Sequence, residues 1–340
     1  MTDRFSPKTY ALFILALLLT MLLCVCVGSV SIAPKDTLTA VFCALMGKEV
    51  PAGISKNIIL NVRLPRVLNV ALVGAALSLC GAAMQGLLRN PLADGSTLGV
   101  SSGASLGAVI ALALGVTVPG SEYGGTMLMA MAFAFLSLVL ILSLAYALDH
   151  SLATNSIILI GVIFSMFVSS VINLILSFLN NRVRSVAFWT MGSLSGTGYA
   201  HTRILAPALL LCGGVIFRYA RELNAFAVGE DNARHTGVNV KRVKLVILVT
   251  VSVLIGVCVS IGGSIGFVGL VVPHMARMIA GPNHKRLLPA SMFAGAVFLL
   301  LADLIARTLL SPVELSIGVV TSLVGAVAFV VIFYRARKAG

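Results

Sequence analysis

The amino-acid sequence predicts an all-α integral membrane protein with about ten transmembrane helices. Hydrophobic residues make up 59% of the chain and charged residues only 10%, and the mean hydropathy is +1.06. Globular chains in water are about a quarter charged, so this chain has too few charges to cover a water-exposed surface. The charges are also clustered and leave uncharged stretches, such as 67–88 and 245–273. These stretches reach the ~20 residues that a helix needs to cross a bilayer.

Three other classes of protein fit the sequence poorly. An outer-membrane barrel would alternate apolar and polar residues over about 10 positions, whereas 12–26 is apolar except for Thr20 and does not alternate. The net charge of +13 does not indicate nucleic-acid binding, because the basic residues lie between apolar runs, as the positive-inside rule predicts. The six cysteines fall mostly within apolar runs and form no Cys-x-x-Cys pair. They are predicted to be small buried hydrophobic residues rather than metal ligands or disulfides.

Charges, prolines and glycines divide the chain into ten predicted helices. Only Gly262, Gly263 and Ser264 separate the seventh helix from the eighth, so hydropathy alone agrees with nine or ten. The first apolar run is longer than a signal peptide requires and is interpreted as a retained helix. The predicted ranges are 10–31, 60–88, 96–115, 125–148, 155–179, 202–219, 244–261, 265–280, 288–308 and 316–334.

The distribution of basic residues predicts that both termini are cytoplasmic. Ten spans place the two termini on one side, and the segments of that side carry fifteen of the 24 Lys and Arg residues, against nine on the other. Two outer segments, 35–46 and 186–195, are amphipathic and are expected to lie along the membrane interface. The second contains Trp189, the single tryptophan. The longest cytoplasmic loop, about 219–243, is the most polar stretch, and a loop of this length usually has a function.

Glycines recur every four residues at Gly99, Gly103 and Gly107, which predicts a helix face that packs closely on a neighbour. The same stretch fits the Gly-x-Ser-x-Gly pattern of serine hydrolases. That pattern requires a strand-to-helix turn and a histidine base, so an intramembrane serine protease with His274 as the base is kept as an alternative. His274 directly follows Pro273 and is otherwise interpreted as a packing residue.

The sequence lacks the full set of residues that either ion coupling or ATP hydrolysis would need. Asp303 and Arg307 are four residues apart, a spacing that allows an internal ion pair on one helix. A carboxylate within the membrane also leaves an ion-coupled carrier as an alternative, although such a carrier would need several acids near the middle of the membrane. The chain contains no Gly-x-x-x-x-Gly-Lys-Ser/Thr loop. Another chain must therefore hydrolyse any ATP that is used.

Several sequence blocks, in order along nearly the whole chain, resemble the iron-chelate, haem and cobalamin permeases of ABC importers. They include Arg63-Leu64-Pro65-Arg66, Gly81-Ala82-Ala83-Met84-Gln85, Arg89-Asn90-Pro91-Leu92-Ala93, Gly269-Leu270-Val271-Val272-Pro273-His274, Gly281-Pro282-Asn283-His284 and Ala302-Asp303 with Arg307. The resemblance implies a type II ABC importer permease, with residues 1–340 as one transmembrane domain in the bacterial cytoplasmic (inner) membrane. It also implies a second permease subunit, a homodimer by default, above two cytoplasmic ABC ATPase subunits.

The resemblance also implies roles for particular residues. Arginines of the outer side would receive acidic residues of an extracytoplasmic substrate-binding protein, and these are Arg63, Arg66 and Arg307. The cytoplasmic loop would form two short helices that contact the ATPase, through Gly229, Glu230, Ala233, Arg234 and Gly237. Candidates for helix packing or for lining the transport path are Asn90, Pro91, Gly99, Gly103, Gly107, Pro273 and His274.

The cargo implied by the resemblance is an iron chelate. A siderophore is favoured because it is the larger class among relatives, and haem and cobalamin remain open because path-lining residues vary with the cargo. The iron would travel inside its chelator, so no metal site, catalytic residue or cofactor is expected in this chain. ATP and Mg²⁺ would bind the ATPase subunits. The chain is also expected to contact membrane lipid, and it is not expected to bind nucleic acid.

Overall fold

The computed structural model describes residues 5–51, 53–95, 98–119, 124–148, 153–179 and 183–338. Within these ranges the chain forms fourteen α-helices, and a π-helical turn over Asn57–Arg63 leads into the third. The helices are α1 (Pro7–Cys26), α2 (Pro34–Leu45), α3 (Leu64–Leu87), α4 (Val100–Leu114), α5 (Gly124–Leu148), α6 (Thr154–Phe178), α7 (Val183–Thr190), α8 (Tyr199–Arg218), α9 (Ala220–Val228), α10 (Glu230–His235), α11 (Val240–Gly262), α12 (Val268–Ala280), α13 (His284–Thr308) and α14 (Ile317–Lys338).

Ten of these helices correspond to the ten predicted spans, and the other four are shorter or lie between spans. Among the described residues, seven are long and apolar enough to cross a membrane, and α4, α12 and α14 supply three shorter apolar segments. The uncertain boundary is now defined, because α11 ends at Gly262 and α12 begins at Val268. Residues 96 and 97, at the start of the predicted span 96–115, lie outside the described ranges, as do two of the basic residues counted for the topology, Arg4 and Arg182.

Of the two predicted amphipathic segments, the second differs in extent from the prediction. The first is the helix α2, as expected. The second begins as α7 at Val183 but ends at Thr190, after which the chain turns. The turn follows from Gly192, which has a left-handed φ of 73°. A side chain on this glycine would also meet the carbonyl of Ser264, so the end of α7 is fixed against the connection between α11 and α12.

Helix α3 lies at the centre of the bundle. It packs against α13, α12, α11 and α8. In its apolar stretch 89% of the residues are buried, compared with 11% in the apolar stretch of α1. Helices α1, α5, α6, α8 and α14 instead expose large apolar side chains, such as Leu12, Phe178 and Leu210. Apolar side chains cost little when the surrounding medium is hydrocarbon, so these outer helices are suited to face lipid.

Glycines set the closest approaches between the helices. A methyl group on Gly74 of α3 would overlap the Gly295 carbonyl of α13, and a methyl group on Gly295 would overlap the Gly74 carbonyl. Further along α3, a methyl group on Gly81 would overlap the Gly269 carbonyl of α12. These crossings bring backbones into direct contact, as small residues do at membrane helix interfaces.

Pro273 interrupts the hydrogen bonding of α12, and α3 compensates for the loss. A proline has no N–H to donate to the carbonyl four residues earlier, which leaves the Gly269 carbonyl free. The Gln85 Nε2 amide of α3 donates to the Leu270 carbonyl at 3.0 Å and to the Gly269 carbonyl at 3.4 Å. The proline therefore fixes α12 to the central helix.

Candidate functional site

Asp303 on α13 is the centre of a buried charged cluster. One carboxylate oxygen accepts hydrogen bonds from Arg66 Nη2 at 2.8 Å and from Arg66 Nε at 3.0 Å. The other oxygen lies 3.3 Å from Arg307 Nε, so the structure contains the internal ion pair that the spacing allowed. Asp303 has no solvent exposure. A buried carboxylate is tolerated when partners compensate its lost hydration, and two guanidinium groups do so here.

Glu314, in the loop before α14, covers the remaining side of Arg66. Arg66 Nη1 donates to both Glu314 oxygens, at 2.9 and 3.2 Å. The Glu314 side chain is 33% exposed whereas that of Arg66 is 11% exposed, so Glu314 is the outer member of the pair. No sequence motif singled out Glu314. The available signal was that Glu314 is the last acidic residue of the chain, isolated in an apolar region.

Arg63 and Arg307 hold the C-terminal end of α1. Arg63 Nη1 donates to the carbonyls of Val25 and Cys26, both at 3.0 Å, and its Nη2 donates to the carbonyl of Val30. Arg307 Nη2 donates to the Cys24 carbonyl at 2.5 Å. The last carbonyls of a helix lack partners within the helix, and cations are favourable there. The two arginines therefore cap α1 from outside its own sequence.

The three arginines predicted to dock a partner thus lie in one cluster, with their guanidinium groups directed inward. Arg63, Arg66 and Arg307 are each at most 9% exposed. We name these three residues with Asp303 and Glu314 the outer cluster. It contains three cationic and two anionic side chains and carries one net positive charge.

The predicted cytoplasmic loop, about 219–243, folds into the two short helices α9 and α10, separated by Gly229, and we name these two helices the coupling segment. Gly229 has φ 138° and ψ 151°, and Gly237, after α10, has φ 85°. Both are conformations that favour glycine. Between them Ala233 is fully buried, whereas the Arg234 side chain is 54% exposed and lies 3.6 Å from Asp231. Helix α10 therefore buries Ala233 against the bundle and exposes a charged outer face.

Glu230 faces the bundle rather than solvent. Its Oε1 lies 2.7 Å from Lys244 Nζ of α11 and accepts a hydrogen bond from Thr154 Oγ1 of α6 at 3.1 Å. Lys244 is completely buried, so the carboxylate is one of the groups that compensate its charge. Glu230 thereby anchors α10 to two long helices.

The loop after α3 approaches the coupling segment. Arg89 is exposed and has a left-handed φ of 50°, and its Nη1 would lie 3.9 Å from a methyl group on Gly229. The Oδ1 of Asn90 accepts from the Leu92 amide at 2.9 Å, which forms a turn that includes Pro91. Asn90 and Pro91 therefore shape this turn.

The three glycines of the predicted packing face have different surroundings. Side chains on Gly103 and Gly107 would overlap Ser137 and the Met129 carbonyl of α5, so these two lie at a close contact between α4 and α5. Gly99 precedes α4 with a left-handed φ of 68°. His274 is half-buried on α12, and its Nδ1 is buried without a hydrogen-bond partner.

A polar contact between α9 and α13 was not assigned a role by the sequence analysis. The Oδ1 of Asn224 accepts from the His284 amide at 2.7 Å and lies 2.8 Å from His284 Nδ1. Its Nδ2 donates to the Oδ1 of Asn283 at 3.0 Å. Asn283 and His284 belong to a block that carried the family resemblance, but no spacing rule connects them to Asn224.

The six cysteines are free. The predicted burial holds for Cys24, Cys80 and Cys258, whereas the other three are half-buried. In the parts of the chain that the structure describes, no group of three or more His, Cys, Asp or Glu side chains is placed to hold a metal ion.

The outer cluster and the coupling segment lie at opposite ends of α3. Arg66 is in its first turn, whereas Arg89 follows its last, and 24 helical residues rise about 36 Å. The model of the FecCD transport family matches residues 16–335. This chain belongs to the FecCD transport family. The bundle is accordingly an ABC transporter permease fold, and the chain is a transport subunit rather than a catalytic one.

Individual relatives agree with the family. The chain is 44% identical to the ABC transporter permease protein YvrB of Bacillus subtilis (strain 168), itself uncharacterized, with 84% of this chain and 80% of YvrB covered. It is 37% identical to the vitamin B12 import system permease protein BtuC of Klebsiella pneumoniae, covering 96% and 93% of the two chains. A solved metal-chelate type ABC transporter in an inward-facing conformation is similar with a TM-score of 0.84 and 30% identity, covering 97% of this chain and 100% of that one.

Proposed function

We propose that this FecCD-family chain is the permease subunit of a binding-protein-dependent ABC importer for a chelated substrate. An iron siderophore is the favoured cargo, with haem and cobalamin as the other candidates. The observation that carries the proposal is the pair of short helices α9 and α10, a polar segment anchored to the bundle from within and charged on its outer face. The absence of a phosphate-binding loop from the sequence supports ATP hydrolysis, with Mg²⁺, on a separate subunit.

The ATPase would contact the outer face of α10. Asp231, Asn232 and Arg234 are exposed there, and Val228 before Gly229 is an exposed apolar side chain. A mixed charged and apolar surface of this kind suits a protein partner. Gly229 and Gly237 would fix the orientation of α10, while Glu230 and Ala233 would hold it on the bundle.

The outer cluster would receive a carboxylate of the substrate-binding protein. The cluster carries a net charge of +1, which attracts an acidic group. A cationic patch also speeds the encounter with an acidic partner. The guanidinium groups of Arg63, Arg66 and Arg307 are occupied internally in this conformation. Docking would therefore proceed by exchange, and Glu314 is the member with most access to solvent.

The remaining parts of the proposal concern assembly and location. The permease would pair with a second copy of itself in the bacterial cytoplasmic membrane, in contact with lipid, with α9, α10 and both termini in the cytoplasm. The chain would bind no cofactor and no nucleic acid. Family membership leaves no support for the two alternatives of the sequence analysis, an ion-coupled carrier and an intramembrane serine protease.

The proposal is tested by transport in proteoliposomes that contain the permease, its ATPase and its binding protein. Ferric siderophores, haem and cobalamin are supplied in parallel, and uptake is measured with ATP, without ATP and with a hydrolysis-deficient ATPase. We expect uptake of one chelate class that requires both ATP hydrolysis and the binding protein. Uptake driven by a proton gradient without ATP would instead support a carrier, and peptide cleavage would support a protease.

A further inference from the structure

Asn224, Asn283 and His284 form a contact, named here the inner joint, between the coupling segment and the two helices at the centre of the bundle. Asn224 lies on α9, whereas Asn283 caps α13 and His284 is its first residue. His284 is only 2% exposed. Its ring packs against α3, because a methyl group on Gly86 would overlap His284 Nε2.

The hydrogen bonds of the inner joint fix the direction of each group. The Oδ1 of Asn283 accepts from the Lys285 amide at 3.0 Å as well as from Asn224 Nδ2, so it acts only as an acceptor. Asn224 must therefore present its Oδ1 to His284, and His284 must carry its proton on Nδ1. His284 Nε2 is buried without a hydrogen-bond partner against Gly86. This contact leaves no space for a larger residue at position 86.

Helices α3 and α13 are antiparallel and connected at both ends. At the inner end His284 of α13 packs on Gly86 of α3, and at the outer end Asp303 of α13 pairs with Arg66 of α3. Between these ends the backbones touch where Gly74 meets Gly295. A displacement of α13 at its inner end is therefore transferred to α3 and to the outer cluster, because closely packed helices move together.

We propose that the inner joint transmits the displacement of the coupling segment to the α3 and α13 pair, with Asn224 and His284 as positioning residues for transport. The proposal rests on the proposed docking of an ATPase at α9 and α10. The exposed face of α10 receives the motion, and Asn224 passes it to the first residue of α13. Glu230 fixes α10 to α11 and α6 but does not contact α3 or α13 through any described hydrogen bond or ion pair.

Gly86→Ala tests the joint without altering the coupling segment. The added methyl group would displace the His284 ring and separate it from Asn224. Gly214→Ala is the matched control, because it makes the same change in the long helix α8, where a methyl group would meet nothing within 4 Å. In the double variant Gly86→Ala with His284→Asn, the asparagine keeps a donor for Asn224 and lacks the ring atom that the methyl group would strike. Asn224→Ala removes the contact from the other side.

Each variant is reconstituted with its ATPase and binding protein, and cargo delivered per ATP hydrolysed is measured beside co-purification and basal hydrolysis. We expect Gly86→Ala and Asn224→Ala to keep assembly and basal hydrolysis while delivering about tenfold less cargo per ATP. Gly214→Ala should deliver as much cargo per ATP as the wild type. Adding His284→Asn to Gly86→Ala should restore delivery to the wild-type level. Unchanged delivery per ATP in both single variants, or a folded double variant that is not restored, would overturn the proposal.

One further variant separates this proposal from the proposed function. Arg234→Glu reverses a charge on the exposed face of α10 and does not touch the inner joint. We expect it to weaken co-purification of the ATPase. Normal assembly and normal transport in Arg234→Glu would refute docking at α10, whatever the behaviour of Gly86→Ala.

Discussion

Asp303 shows how a single charged residue can determine the arrangement of four segments. It has no solvent exposure and contacts Arg66 and Arg307, and these arginines also contact Glu314 and α1. Removing one member of a buried ionic network leaves the others without compensation, which costs more than the network gains in stability. Substitution of Asp303, at the centre of the outer cluster, should therefore cost more stability than substitution of Glu314, at its edge.

We predict that Asp303→Asn lowers the free energy of unfolding by about 3 kcal/mol or more, because two buried guanidinium groups lose their shared carboxylate. Glu314→Gln is the control. It changes a partly exposed partner and is expected to cost less than about 1 kcal/mol. Thermal denaturation in detergent, followed by size-exclusion chromatography, ranks the two variants against the wild type. Equal stability of the two variants would show that Asp303 is not the centre of the cluster.

The contacts of this cluster show which residue pairs a sequence can reveal. Asp303 and Arg307 are neighbours on one helix, so their spacing was sufficient to suggest the ion pair. Arg66 is separated from Asp303 by 237 positions, and no local periodicity connects them. The acceptors of Arg63 are backbone carbonyls, which have no signature in the sequence. The inward direction of the arginines was therefore not predictable.

At the scale of helices, α1 packs along α13 and is also held at its C-terminal end by two arginines. Only 11% of its apolar stretch is buried, and one of its packing contacts is the ring of Phe13 at 5.7 Å from that of Phe293 on α13. The hydrogen bonds from Arg63 and Arg307 supply fixed donors to its final carbonyls. The outer end of α1 should therefore depend on these two arginines.

We predict that Arg63→Met increases hydrogen–deuterium exchange at amides 24–30 by about tenfold, since hydrogen bonds from a charged donor to the helix end are lost. Arg203→Met on α8 is the control, because Arg203 is exposed. Mass spectrometry of the protein in nanodiscs provides the measurement. An unchanged exchange rate in Arg63→Met would mean that packing alone holds α1.

Helices differ in how far the sequence defines them. The ten spans follow from where charges interrupt apolar runs, and their predicted ends differ from the structure by a few residues. Helices α9 and α10 were expected only from the family resemblance, because their sequence is polar and short. The burial of Ala233 could not be expected, and a bulky acid at that position would disturb the packing of α10 itself. Arg234 is therefore the better position for testing the ATPase contact.

At the scale of the whole molecule, α3 connects the two candidate contact surfaces. The outer cluster begins at its first turn, and the coupling segment packs near its last. Two surfaces about 36 Å apart on one buried helix suit a protein that must relate events on opposite sides of a membrane. The proposed function requires the two surfaces to be exposed to different compartments.

We predict that thiols introduced near the two ends of α3, one in the coupling segment and one in the loop after α2, react from opposite sides of the membrane. His235→Cys, at the last residue of α10, should react with an impermeant maleimide only after the cells are permeabilised, because the coupling segment is proposed to be cytoplasmic. Lys48→Cys, after α2, should react in intact cells. The native cysteines are buried or half-buried, so the wild-type chain supplies the background. Labelling of His235→Cys in intact cells would place the segment outside, where no ATPase could bind it.

The central position of α3 also has a consequence for biosynthesis. Its partners Gly269 and Gly295 are made roughly two hundred residues later, which at 5–20 residues per second is about 10–40 s of synthesis. During this interval α3 must wait in the membrane with Arg66 and Gln85 lacking their final neighbours. A ribosome that stalls before α12 would leave these polar groups facing lipid or the insertion machinery. The nascent chain should therefore be a substrate for membrane quality-control proteases until α13 has been inserted.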